Sequence, residues 1–367
     1  MTRTPQPTAA GGPTSLVDWA FAKSAARRVT PAGPAVDPAQ AREVVAALKR
    51  AALDARGPVA ETARLQTPPE APSALVVDRP TWIDVNVDSF ATIIDPALSA
   101  AIERQNSRTG ARPMSPLVAR VGGKLTGTEL AGLLSFVSTK VLGQYELAPG
   151  RPAGSARLLL VAPNVLAAER ELGVDPDDFR LWVCLHEETH RVQFTAVPWL
   201  RDHMVEASRS TARDLAPEAD LLLDRLKHAA GHVGDVLRPG GNGLAELFLT
   251  PEQRDRLARV TATMALLEGH ADVIMDDVGP KIVPSVAHIR AVFDRRREGL
   301  GMLDVTLRRL LGLEAKMAQY RDGAAFVRTV VDRVGIDGFN AVWTSPDTLP
   351  TPDEITDPAA WVARVHG

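Results

Sequence analysis

Cysteine is almost missing from this chain. There is one in 367 residues, Cys184, which excludes an internal disulfide framework and any cysteine-rich zinc ribbon. An excess of charge of one sign is missing too. Lys+Arg 42 against Asp+Glu 45 leaves a net charge of −3, which does not point to a nucleic-acid binder or a membrane-surface protein. No stretch approaches the roughly 18 uninterrupted apolar residues that a membrane span needs. The N-terminal segment MTRTPQPTAAGGPTS lacks the apolar region of a secretory signal, so the cytoplasm is the expected compartment. Aromatic residues are few, with two tyrosines. What is present is ordinary for a globular protein: 45% hydrophobic and 24% charged residues, in a chain long enough to bury a large core. The 28 prolines and 27 glycines show no period, and so read as punctuation between helices.

Helical patterns follow one another along the chain. The first spans 15–29. Asp37-Pro38-Ala39-Gln40 supplies an N-cap, a first-turn proline and a Gln at the third helical position for a second helix to about Arg56. A short β-like run, 74–78, precedes a helix from Arg79 to about Ile94. Thr126-Gly127-Thr128-Glu129 fits a capping box opening a helix to about Leu142. RLLLVAPNV, 157–165, is an apolar run bounded by Gly and Pro and reads as the best strand. Asp175-Pro176-Asp177-Asp178 then caps a helix, and more helices are expected at 199–213, 217–232, 251–278, 284–298, 300–312, 314–334 and 352–365. The expectation is an α+β, predominantly helical fold with a small sheet. After a disordered tail, 1–14, one domain is expected over 15–367. A helical N-terminal subdomain, 15–120, ahead of a core at 126–345 is the alternative.

His186-Glu187-Glu188-Thr189-His190 is an H-E-x-x-H motif. Residues four apart share a helix face, so His186 and His190 can offer two imidazoles to one Zn²⁺. Glu187 lies about 100° around the helix, placed to take a proton from a water at the metal. A third ligand has to come from elsewhere. The metzincin continuation requires Gly and His where this chain has Gln193 and Ala196, and is excluded. The other large class uses a Glu followed four residues later by an Asp. Glu268 and Asp272 have that spacing, with Asp272 able to accept the second ring N–H of His186. His270, pointing about 200° from Glu268, is the alternative ligand. The neighbours Met264, Ala265, Leu266 and Leu267 make this a buried helix, where an unpartnered carboxylate is costly.

His203 with Glu206, and the pair His228 and His232, are further metal candidates with less support. Cys184, two residues before His186, points to the other side of the helix and reads as a packed small hydrophobe. Hydrolysis through a tetrahedral intermediate needs an oxyanion donor. Tyr320 is the candidate, with His270 and His288 behind it; a tyrosine at the edge of the core is the plainer reading.

The segments LLLVAPNV, LWVCLHEETHRVQFTAVPWLRDH, LLEGHADVIMDDVGP and RLLGLEAKMAQYRDGAAFV…WTSPDTLPTPDEI resemble a family of zincin-like metallopeptidases found mainly in actinobacteria, often labelled as associated with biosynthesis of a deazaflavin coenzyme. The resemblance covers about Val17 to Val365. It implies a zincin fold with a Glu-type third ligand, zinc held by His186, His190 and Glu268, and Glu187 as the base. No Gly-rich phosphate cradle for such a coenzyme is evident. The expected function is a zinc-dependent hydrolase acting on a peptide or protein, with the strand at 157–163 pairing with an extended substrate. A zinc-stabilised scaffold or regulatory binding protein, and hydrolysis of a non-peptide amide, are the alternatives. A fourth protein ligand such as His270 or His203 would favour the scaffold.

Overall fold

The computed structural model describes residues 17–68, 72–109, 116–152, 154–215, 250–298 and 313–367. Helices α1 (Trp19–Val29) and α2 (Pro38–Ala63) precede strand β1 (Leu75–Val77). Helices α3 (Arg79–Thr109) and α4 (Pro116–Ser138) lead to β2 (Gly143–Glu146) and β3 (Arg157–Val161), followed by α5 (Ala162–Leu172), α6 (Pro176–Ala196) and α7 (Pro198–Leu215). From Thr250 onward come α8 (Pro251–Ile282), α9 (Val286–Glu298), α10 (Leu313–Phe339), 3₁₀ turns at Asn340–Trp343 and Pro346–Thr348, α11 (Pro352–Thr356) and α12 (Pro358–His366). The class is the predominantly helical α+β fold expected. The tail 1–14 and the helices expected at 217–232 and 300–312 lie outside the described residues.

The three strands run in the order β1-β3-β2. β3 pairs parallel with β1 (Leu75 opposite Leu159) and antiparallel with β2 (Gly143 opposite Leu160). Leu158, Leu159, Leu160 and Val161 are fully buried, and they alternate between two cores. Leu158 and Leu160 pack with α2, α5 and α6, while Leu159 and Val161 pack with α1, α3 and α4. A strand covered on both faces needs a continuous apolar run, which is why RLLLV stands out in the sequence.

Three expectations are corrected here. The strand stops at Val161, and Ala162 starts α5 with a proline in its first turn. Pro163 has no N–H to give a ladder and a φ suited to a helix start. β3 is central, so it has no open edge for a substrate; the edge strand on that side is β2. Thr126–Glu129 is not a helix start either: α4 runs through it, and Thr128 Oγ1 donates to the Lys124 carbonyl one turn back at 2.9 Å, the bonding of a threonine inside a helix.

Helix α6 begins as its sequence dictates. Asp175 accepts from the backbone N–H groups of Asp177 and Asp178, both at 3.0 Å, with Pro176 at the first helical position. It buries Phe179, Trp182, Val183, Cys184, Leu185 and Val192 against α2 and β3. Several of its buried polar groups are paired with charge. Glu188, fully buried, bonds Arg191 one turn on, and Arg56 of α2 stands 3.8 Å away.

Helix α8 is fixed against α10 by a glycine contact. A Cβ on Gly269 would run into the backbone of Gly323 and Ala324, and one on Gly323 into the carbonyl of Ala265. The two backbones meet where no side chain fits, one residue after Glu268. Gly323→Ala is expected to push α8 and α10 apart and lower stability by about 1–3 kcal/mol. The midpoint of denaturant unfolding measures it; an unchanged midpoint would contradict the close crossing.

Candidate metal centre

Three donor atoms converge between α6 and α8. His186 Nε2 and His190 Nε2 are 3.2 Å apart, and Glu268 Oε2 is 3.4 Å from the first and 3.7 Å from the second. The one-turn spacing of the two histidines brings their rings together, edge to face with centroids 4.8 Å apart. Metal bonds of about 2.0–2.1 Å at tetrahedral angles would separate donor atoms by about 3.3–3.4 Å, so these separations suit zinc and the N, N, O donor set suits its chemistry. Among the described residues this is the one group of three or more His, Cys, Asp or Glu side chains close enough to hold an ion. No fourth such donor joins it among the described residues.

A hydrogen bond orients one of the ligands. His190 Nδ1 is 3.0 Å from Gln193 Oε1, on the far side of the ring from Glu268. Asp272 Oδ1 lies 3.8 Å from His186 Nδ1, behind the ring as expected but longer than a hydrogen bond. Burial works against a charged His190, yet the Glu268 and Glu187 carboxylates and the bond to Gln193 outweigh it and raise its pKa to about 9. Burial likewise opposes ionisation of Glu268, but His190 and His186 hold its carboxyl well below the usual range.

Glu187 lies beside the two histidines, at the edge of the sheet. Its carboxylate lies against the backbone of Gly143, the first residue of β2, where an added Cβ would come within 2.6 Å of Glu187 Cγ. Burial raises the pKa of Glu187, and the adjacent Glu268 and Glu188 add to this against the opposing pull of His186 and His190. Two residues on, Tyr145 of β2 stacks on Phe194 of α6 with centroids 5.2 Å apart. Strand β2 therefore runs along the same helix that carries the motif.

His270 is not in the converging set. It is fully buried on the other side of α8, stacked on Phe339 and tilted against Trp343, both with centroids at 5.4 Å. Burial, and His190 nearby, lower its pKa to about 3. His203 packs edge-on to Trp199, Glu206 pairs with Arg213, and His288 is exposed; none joins the cluster. Cys184 is a buried free thiol in the α2–α6 core. Tyr320 is on α10, but its side chain lies outside the described residues, as do His228 and His232 entirely.

A family model described as zincin-like metallopeptidase matches residues 17–362. The chain belongs to this family. Membership points to a zinc-dependent hydrolase and implies a metal, in keeping with the donor set. The fold is also similar to the crystal structure of a candidate hydrolase with a novel fold from Chloroflexus aurantiacus, at 30% identity and a TM-score of 0.66, over 95% of this chain and 99% of that one. Comparison with curated proteins finds no match.

In this zincin-like chain Gly143 and Gln193 carry no motif that marks them as part of a site. Gly143 sits in a four-residue strand, GQYE, with no apolar alternation to mark it. Gln193 is three residues past His190 and hence on its face of the helix, a spacing that does point to contact. Because an imidazolium cannot ligate, zinc must displace the His190 proton. The apparent zinc affinity of the metal-free protein is expected to rise with pH by up to about tenfold per unit until about pH 9. Competition with a chelator across that range tests it; a flat profile would contradict the coupling.

Proposed function

We propose that the chain is a zinc-dependent hydrolase that cleaves peptide bonds, with zinc held by His186, His190 and Glu268 and with Glu187 as the general base. The observation that carries this reading is a set of three donors with no fourth among the described residues, beside a buried carboxylate. Three protein ligands leave a position for water and substrate, as catalytic zinc sites do and structural ones do not. Bound zinc supplies Lewis acidity to a carbonyl oxygen and to an attacking water.

The residues do the rest. Glu187, its pKa raised by burial, takes a proton as water oxygen bonds to the scissile carbon. It then gives that proton to the leaving nitrogen as the C–N bond breaks. Gly143 keeps the backbone of β2 close enough to fix the carboxylate while leaving room for it. Asp272 stands 3.8 Å behind His186, where its carboxylate favours a proton on Nδ1 and leaves Nε2 to the metal. The side of β2 away from β3, unpaired among the described residues, is the place for an extended peptide to add a strand, in place of the central β3.

Zinc-loaded protein and a pool of quenched fluorescent peptides provide the test. Wild type is expected to cleave members of the pool. Glu187→Gln is expected to keep one zinc and lose activity by about 10²-fold or more. Gly143→Val, which crowds the same carboxylate, should keep zinc and lose activity too. Full activity in Glu187→Gln would sink the mechanism. Cleavage of small amides and no peptide would move the substrate to a non-peptide amide, and no hydrolysis of either would support a scaffold.

A further inference from the structure

Gln193 is a primary amide with no exposed surface, on the metal-facing helix. Its Nε2 lies 2.9 Å from the Leu267 carbonyl and 3.0 Å from His270 Nδ1; its Oε1 lies 3.0 Å from His190 Nδ1. The Leu267 carbonyl can only accept, so the NH₂ end of the amide must face α8 and the oxygen must face His190. The neutral, ligating form of His190 then carries its proton on Nδ1, donates it to Gln193, and has its lone pair on Nε2, the atom that meets His186 and Glu268. The second N–H of the amide donates to His270 Nδ1, so His270 carries its own proton on Nε2.

Both anchors on α8 flank the carboxylate ligand: Leu267 precedes Glu268 and His270 follows it by two. The Nε2 of His270 is buried with no hydrogen-bond partner among the described residues. A phenylalanine would fill the stack on Phe339 and Trp343 without that cost. An imidazole kept there at a cost in stability needs a use, and accepting from Gln193 is the one the geometry provides.

We propose that Gln193 is the positioning residue of the metal centre. One amide fixes the tautomer of His190 and ties the histidine-bearing helix to the stretch of α8 that carries Glu268, with His270 as the buried anchor that holds the amide in that orientation. This rests on the reading that His186, His190 and Glu268 hold zinc. It gives a role to the position where this chain departs from the metzincin pattern.

The test uses the full chain with Gln193→Met, which fills the same space with no polar atoms, and His270→Phe, which keeps the stack and removes the acceptor. Zinc affinity is measured by chelator competition, and the visible spectrum is recorded with cobalt in place of zinc. Gln193→Met is expected to lower the thermal transition of the metal-free protein, because the Leu267 carbonyl and His270 Nδ1 lose their donor, and beyond that to bind zinc about 10- to 100-fold more weakly and alter the cobalt spectrum, which a loss of stability alone would not do. His270→Phe is expected to change both in the same direction by less, and the double variant to be no worse than Gln193→Met. Glu268→Ala serves as the control for the site itself. If Glu268→Ala loses zinc while Gln193→Met keeps wild-type affinity and spectrum, the positioning role is overturned and the metal site stands. If Glu268→Ala keeps zinc, the metal site fails, and this proposal with it. Should Gln193→Met fail to fold, unchanged affinity and spectrum in His270→Phe overturn the proposal.

Discussion

Three donor atoms from two helices about 80 residues apart in sequence have to be held within 4.8 Å of one another, and much of the described structure is arranged around that requirement. One helix cannot do it alone. The one-turn repeat of α6 brings two imidazoles together but leaves the third corner to another element. Helix α8 reaches that corner because its own backbone is pinned from behind, where Gly269 and Gly323 let α10 approach without side chains between. A carboxylate presented from such a contact has little freedom to drift. The Gln193 amide ties α6 to α8 next to the ligands.

The electrostatics follow from burial. Helix α6 carries Glu187, Glu188, Thr189, Arg191 and Gln193 at positions with almost no solvent access. Each has to find a partner or be left at a cost. Glu188 is neutralised by Arg191 and Arg56, a structural use of charge on the side of the helix away from the histidines. Glu187 has no such cation. It is set beside the histidines and against the backbone of Gly143, where burial raises its affinity for a proton. Adjacent residues of one motif thus serve different ends, because the helix turns one toward α2 and the other toward the sheet edge.

The site was far more legible in the sequence than the sheet was. His186, His190 and Glu268 could be named because a helical repeat fixes which residues share a face, and the buried run Met264–Leu267 made an unpartnered Glu268 unreasonable. The structure brings those three together. Asp175 and Pro176 gave away the start of α6 by local chemistry alone. Strand β2 left no such trace, since GQYE has no alternation and its place depends on pairing with β3 across an eleven-residue separation. The opposite error came from RLLLVAPNV. Its apolar character suggests a strand with a usable edge, whereas residues buried on both faces belong to the middle of a sheet. The Thr126–Glu129 capping box misled for a related reason: its residue types fit a helix start, and nothing local reveals that the helix is already under way.

X-ray absorption at the zinc edge of the loaded protein addresses the central claim most directly. The account predicts two imidazole nitrogens and oxygen ligands at about 2.0–2.1 Å, roughly four in all, with no sulfur. A third imidazole, a sulfur neighbour or an all-oxygen shell would contradict it, because each would place the metal away from the His186, His190 and Glu268 donors.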